Sequence, residues 1–117
     1  MTVVIGLVLL GAMGLVFLGW LGLIGRLPPN HFVGIRTRFT RQNEQNWYEA
    51  HREAGSILIL GSVAVVAGGL ALFPFALAGS LPETFAAAAV VAMVAILLAS
   101  AVAAWLIGTR RARARLS

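Results

Sequence analysis

The side chains able to do chemistry are few and crowd into one stretch. His31, Glu44, Glu49, His51 and Glu53, together with Arg26, Arg36, Arg38, Arg41 and Arg52, all fall between positions 26 and 53. A metal centre drawn from His31, His51 and Glu44 or Glu49 would need ligands at the short, strict spacings of metal-binding motifs, and these residues lack them, so no metal is expected. Nucleophilic catalysis is undersupplied. There is no Cys and no Asp, and Ser56, Ser62 and Ser100 sit in apolar runs away from any base. Their hydroxyls are expected to bond back to their own helices. What remains for an enzyme, or for a lipid-binding protein, is Glu44 and His51 with a loop arginine. We assign no catalytic residue and expect no cofactor.

The elements that must position these residues belong to a membrane protein. Of 117 residues, 60% are hydrophobic and 11% charged, and the mean hydropathy is +0.92. Roughly a quarter of an ordinary globular chain is charged, because polar side chains must cover the surface facing water. This chain has too few, so lipid is the solvent for most of it. A strongly basic balance in a soluble domain would suggest nucleic acid. Here the basic residues lie beside apolar spans, which is better explained by topology and anionic lipid, and no direct nucleic-acid partner is expected.

Three spans are predicted, giving an all-α membrane protein. The first covers 2–25, an uncharged run long enough for a hydrocarbon core of about 30 Å. Gly11, Gly14, Gly22 and Gly25 share a narrow sector of it and are predicted to form a helix-packing seam, since small residues let backbones approach in lipid. The second span covers 55–78, kinked or ended near Pro74. Ser80 and Glu83 then have the spacing of a capping box ahead of a third span over 82–108. A basic tail, 109–117, closes the chain.

Between the first two spans lies a loop over 26–53. Pro28 and Pro29 forbid continuing the first helix. Helical periodicity returns after Thr40 or Asn43, either of which can act as N-cap, and predicts a short interfacial amphipathic helix over about 41–54. Gln42, Gln45, Glu49, Arg52 and Glu53 occupy one side of it, and Trp47, Tyr48, Ala50, His51 and Ala54 the other. Glu44 and His51 fall on the Trp47 side and need partners. An ordered loop cap in which both pair with arginines satisfies that need.

Arginine counting sets the topology. The loop carries five arginines, the tail four, and the Gly79–Glu83 connection none. Short cytoplasmic segments keep the basic excess, so the first loop and the C-terminus are expected in the cytoplasm and the N-terminus outside. Arginine in place of lysine, with abundant alanine, glycine and valine, suggests a GC-rich bacterium and hence a bacterial cytoplasmic membrane.

The segment Gly25-Arg26-Leu27-Pro28-Pro29-Asn30-His31-Phe32-Val33-Gly34-Ile35-Arg36-Thr37, followed by Thr40, Trp47, His51, Arg52, Ala54 and Gly55, resembles the signature of the SdpI family of bacterial membrane proteins. The chain looks like a short, signature-bearing form. The resemblance implies immunity to, or sensing of, a secreted peptide toxin, with signalling through the cytoplasmic loop to a cytoplasmic transcriptional repressor. It makes Asn30, Gly34, Arg36, Thr37, Thr40, Trp47 and His51, with Glu44 beside them, the residues expected either to bind a partner or ligand or to hold the cytoplasmic cap together. Two other functions stay open at this point: an accessory or structural subunit inserting its glycine-striped helix into a larger membrane complex or homo-oligomer, and the membrane enzyme or lipid-binding protein centred on Glu44 and His51.

Overall fold

The computed structural model describes residues 1–116 and folds them into three helices, with no strand among those residues. α1 spans Thr2–Leu23, α2 spans Glu44–Leu77 and α3 spans Glu83–Leu116. Each is long and apolar enough to cross a membrane. At about 1.5 Å per residue, α1 matches a hydrocarbon core of about 30 Å, whereas α2 and α3 overshoot it by about 20 Å. Charge decides where the excess goes. Glu44, Glu49, Arg52 and Glu53 occupy the first turns of α2, and the arginines from Arg110 onward occupy the last turns of α3. The apolar, membrane-crossing part of α2 therefore begins near Gly55, and that of α3 ends near Gly108.

α2 is the central helix; it packs along both α1 and α3, which touch each other little. The core is thin: Ile5, Leu9 and Ala12 of α1 meet Val65 of α2 and Met93 of α3. Leu7, Leu10, Phe17, Leu60, Val91 and Leu98 face outward. Exposed to water, such an apolar belt would drive association, and in a bilayer it is the ordinary lipid contact.

The seam on α1 is not the predicted glycine stripe. Its buried positions are Ile5, Leu9, Ala12, Gly19 and Gly22, spaced by about 3.5 residues as in left-handed helix packing. Gly22 belongs to it: a Cβ there would come 2.7 Å from the His51 carbonyl oxygen. Gly11 and Gly14 lie off to one side, exposed and with open space where a Cβ would stand. Gly25 ends the helix instead of packing it. With φ +72° it donates its N–H to the Gly22 carbonyl, while Arg26 N–H reaches the Leu21 carbonyl. That double bond pattern with a left-handed glycine is a Schellman terminator.

Other boundaries also differ from expectation. The segment 41–54 is not a separate amphipathic helix: α2 starts at Glu44, capped by Asn43, whose side chain accepts the Asn46 N–H, and runs unbroken through Gly55. Gly55 does not bend the chain because its missing side chain is used for close approach, with Gly19 oxygen 2.5 Å from where a Cβ would sit. Pro74 does not end α2, which continues to Leu77. Gly79, at φ +70°, terminates it, and Ser80 sends both its N–H and its hydroxyl back to the Phe75 carbonyl. Ser80 thus closes α2, not the predicted capping box of α3. The basic tail is helical through Leu116, since alanine and arginine are good helix formers and cations favour a helix C-terminus. Ser117, the last residue of that tail, lies outside the described residues.

Candidate functional site: a hydrogen-bonded cap at the arginine-rich end

The antiparallel course of the helices brings the 24–43 loop, the start of α2 and the end of α3 to one end of the bundle. Arg113 lies over the Phe39 ring at 4.9 Å, and Arg115 pairs with Glu53 at 2.7 Å and with Glu49 at 3.7 Å. Glu49 also holds Arg52 at 3.0 Å. These contacts tie the arginine tail of α3 to the loop at Phe39 and to the first turns of α2.

Within the loop each turn has its own polar organiser. Asn30 shapes the corner after the prolines, with Oδ1 accepting the N–H groups of Phe32 and Val33 at 2.8 and 2.7 Å and Nδ2 donating to the Pro28 carbonyl. Asparagine suits this because its side chain imitates a backbone turn. Thr40, only 1% exposed, organises the next turn. Its hydroxyl oxygen accepts the Thr37 N–H at 2.9 Å, its O–H donates to the Ile35 carbonyl at 2.7 Å, and its backbone N–H donates to the Thr37 hydroxyl.

Three side chains on the first turns of α2 hold this loop down. Asn46 donates from Nδ2 to the Phe39 carbonyl. Trp47, buried, donates its indole N–H to the Leu27 carbonyl at 2.9 Å. His51 accepts the Ile35 N–H at Nε2, and its Nδ1 lies 2.7 Å from the Trp47 carbonyl. The two bonds require a neutral imidazole with the proton on Nδ1, because a cationic ring has no acceptor. His51 lies ahead of Gly55, outside the membrane-crossing part of α2. Burial lowers its pKa from the ordinary histidine value, and the Trp47 carbonyl opposes that shift. The Trp47 and His51 rings stack with centroids 4.3 Å apart, and Gly34 rests on both. Its φ is +110°, and a Cβ there would meet Nε2 at 2.6 Å and the indole at 3.3 Å.

The signature residues therefore divide. Gly34, Thr37, Thr40, Trp47 and His51 are joined in one hydrogen-bonded and stacked cap, and Asn30 shapes the corner that leads into it. Arg36 and Glu44 are exposed, and among the described residues neither forms an ion pair. The expected pairing of Glu44 and His51 with arginines is corrected accordingly. His51 binds two backbone groups because a backbone acceptor and donor satisfy a neutral ring at no cost in buried charge. Glu44, in the first helical turn, has the N-terminal dipole and water. Glu44 and His51 share no hydrogen bond, and no group of three or more His, Asp or Glu converges among the described residues. Asn46, Leu27, Phe39, Arg113 and Arg115 were missed. Asn46 carried a signal, an amide beside Trp47 on the covered face; the others contribute backbone carbonyls or contacts made only by the folded chain.

Three apolar helices joined by a hydrogen-bonded polar cap define a multi-pass helical membrane protein. The model of the SdpI/YfhL protein family matches residues 26–109, which take in the cap, all of α2 and most of α3. The chain belongs to the SdpI/YfhL family. No curated protein and no solved structure matches it.

Proposed function

We propose that this chain is an immunity or sensing component of a bacterial cytoplasmic membrane, which registers a peptide toxin at the bilayer and signals through the arginine-rich cap to a cytoplasmic repressor. The observation that carries the reading is the division within the cap. Its uncharged signature residues spend their polar groups on holding the loop, while Arg36, Arg38 and Arg41 stand exposed and free of ion pairs among the described residues. Exposed guanidiniums on a fixed scaffold suit recognition of carboxylates on a partner, because each is always charged and fork-shaped. The orientation that puts the cap in the cytoplasm follows from the arginine bias.

Cells lacking the gene are expected to become sensitive to secreted peptide toxin and to change expression of neighbouring genes. The double variant Arg38→Ala, Arg41→Ala, at wild-type abundance, should reproduce the expression defect. Unchanged sensitivity and unchanged expression on deletion would sink the proposal. A second reading, an accessory subunit of a larger membrane complex or homo-oligomer, is favoured by one observation: Gly11 and Gly14 face outward with open space beside them, as a helix from another chain would require. Mild-detergent purification of the tagged protein separates the two, by recovering either a cytoplasmic repressor or a stoichiometric membrane partner.

A further inference from the structure

A groove of about 460 Å³ opens between α1 and α3 beneath the cap. Its walls are Leu15 and Leu18 of α1, Leu58 of α2, and Ala101 and Trp105 of α3, and its roof is the loop from Gly34 to Thr37 with His51 behind it. Three features of this groove bear on what fills it. α1 and α3 touch little, so the gap between them faces the surrounding lipid, not a closed interior. The volume falls within the range of about 300–1,000 Å³ usual for small-molecule sites. The roof carries a single formal charge, Arg36, and none of the four glutamates lines the groove.

An apolar slot at the depth of the membrane-crossing helices, ending in one cation where those helices leave the bilayer, is complementary to an amphiphile with an anionic head. Trp105, about half exposed at that end of α3, suits the headgroup boundary, where an aromatic ring with a polar N–H is favoured. The hollow on the other side of Arg36 lacks this match, since it is edged by Asn30, His31, Arg41 and the acid Glu44.

We propose that the α1–α3 groove is a binding site for an anionic phospholipid of the surrounding bilayer, one acyl chain lying between Leu15, Leu18, Leu58 and Ala101 and the phosphate meeting the Arg36 guanidinium. The arginine is matched to phosphate because its planar donors engage two oxygens at once. A bound chain fills the gap that α1 and α3 leave, and its phosphate neutralises a charge that the protein leaves without an ion pair. The proposal does not rest on the immunity reading, and its test contains no toxin or repressor.

The full-length protein is reconstituted in phosphatidylcholine vesicles containing a small fraction of phosphatidylglycerol with a photoactivatable acyl chain, and labelled residues are mapped by mass spectrometry. Label should concentrate on the segments bearing Leu15, Leu18, Leu58 and Ala101. Unlabelled phosphatidylglycerol should compete it several-fold better than unlabelled phosphatidylcholine, a comparison that needs no variant. Arg36→Gln should abolish that preference, and Ala101→Phe, which fills the slot, should remove labelling with either lipid. Label spread evenly over outward faces such as those of Leu7, Leu60 and Leu98 would overturn the proposal, as would equal competition by the two lipids.

Discussion

Gly34 and His51 are the two residues on which the cap turns, and each can be tested alone. Gly34 is held at φ +110° against the Trp47 and His51 rings, a conformation that costs a residue with a Cβ about 1–3 kcal/mol before any clash is counted. Gly34→Ala is therefore expected to release the loop, read as faster proteolysis between Pro28 and Asn43 and a lower unfolding midpoint in detergent. An unchanged digest would show that Gly34 does not hold the loop against the two rings. For His51, the folded-state pKa lies below the unfolded one, so the unfolded chain takes up a proton first. The stabilising contribution is complete above the unfolded value of about 6.5 and is lost as pH falls through the lower folded value. Loop protection, followed by hydrogen exchange of the Ile35 N–H, should decline on acidification from neutral pH. His51→Phe, which keeps the stack but not the bonds, should make the loop uniformly weak and remove that pH dependence.

At the scale of elements, the close approach of α1 and α2 is set most firmly at Gly22 and Gly55, where the nearest atoms to an added Cβ are backbone. A Cβ on Gly55 would stand 2.5 Å from the Gly19 carbonyl oxygen and 3.0 Å from the Leu23 nitrogen, and backbone cannot swing away. Gly55→Ala should lower the unfolding midpoint, by the 1–3 kcal/mol or so typical of overpacking. Gly11→Ala and Gly14→Ala point into open space and should be neutral, or stabilising by up to about 1 kcal/mol through helix propensity. If Gly11→Ala cost more than Gly55→Ala, the seam would be misassigned. The same pair shows what the sequence could tell. Three apolar helices were legible because span length and charge exclusion are properties of composition. The rotation of α1 was not, because a glycine-rich helix offers several small faces, and only the 3.5-residue spacing of Ile5, Leu9, Ala12 and Gly19 picks the one used. The loop signature named most of the cap, yet not its wiring. Backbone carbonyls such as those of Leu27, Ile35 and Phe39 leave no mark in residue type, so charge pairing was expected where His51 in fact binds backbone groups. The helical tail was hidden likewise, since Arg115 finds Glu53 only once α3 has returned along α2.

Across the whole molecule, three crossings place all nine arginines at one end and leave the Gly79–Glu83 turn, with one glutamate, at the other. The length of the bundle, 54 Å, exceeds a hydrocarbon core of about 30 Å, and the excess is the arginine-rich end, where α2 and α3 project with the cap between them. A distribution this one-sided should fix orientation during insertion, because short loops rich in arginine are retained on the cytoplasmic side. The absence of native cysteine makes the expectation directly measurable. Single cysteines at Gln42 and Arg111, both exposed at the capped end, and at Ser80, exposed at the opposite turn, are introduced into the full chain in bacterial cells. A membrane-impermeant maleimide added outside should label Ser80→Cys and spare Gln42→Cys and Arg111→Cys until the membrane is permeabilised. Gln42→Cys and Arg111→Cys should behave alike in every case, since the contacts of Arg113 with Phe39 and Arg115 with Glu53 hold loop and tail at the same end. Labelling of the capped-end pair from outside would invert the topology and turn the exposed arginines toward extracellular partners. Opposite behaviour of Gln42→Cys and Arg111→Cys would contradict three crossings, and with them the bundle itself.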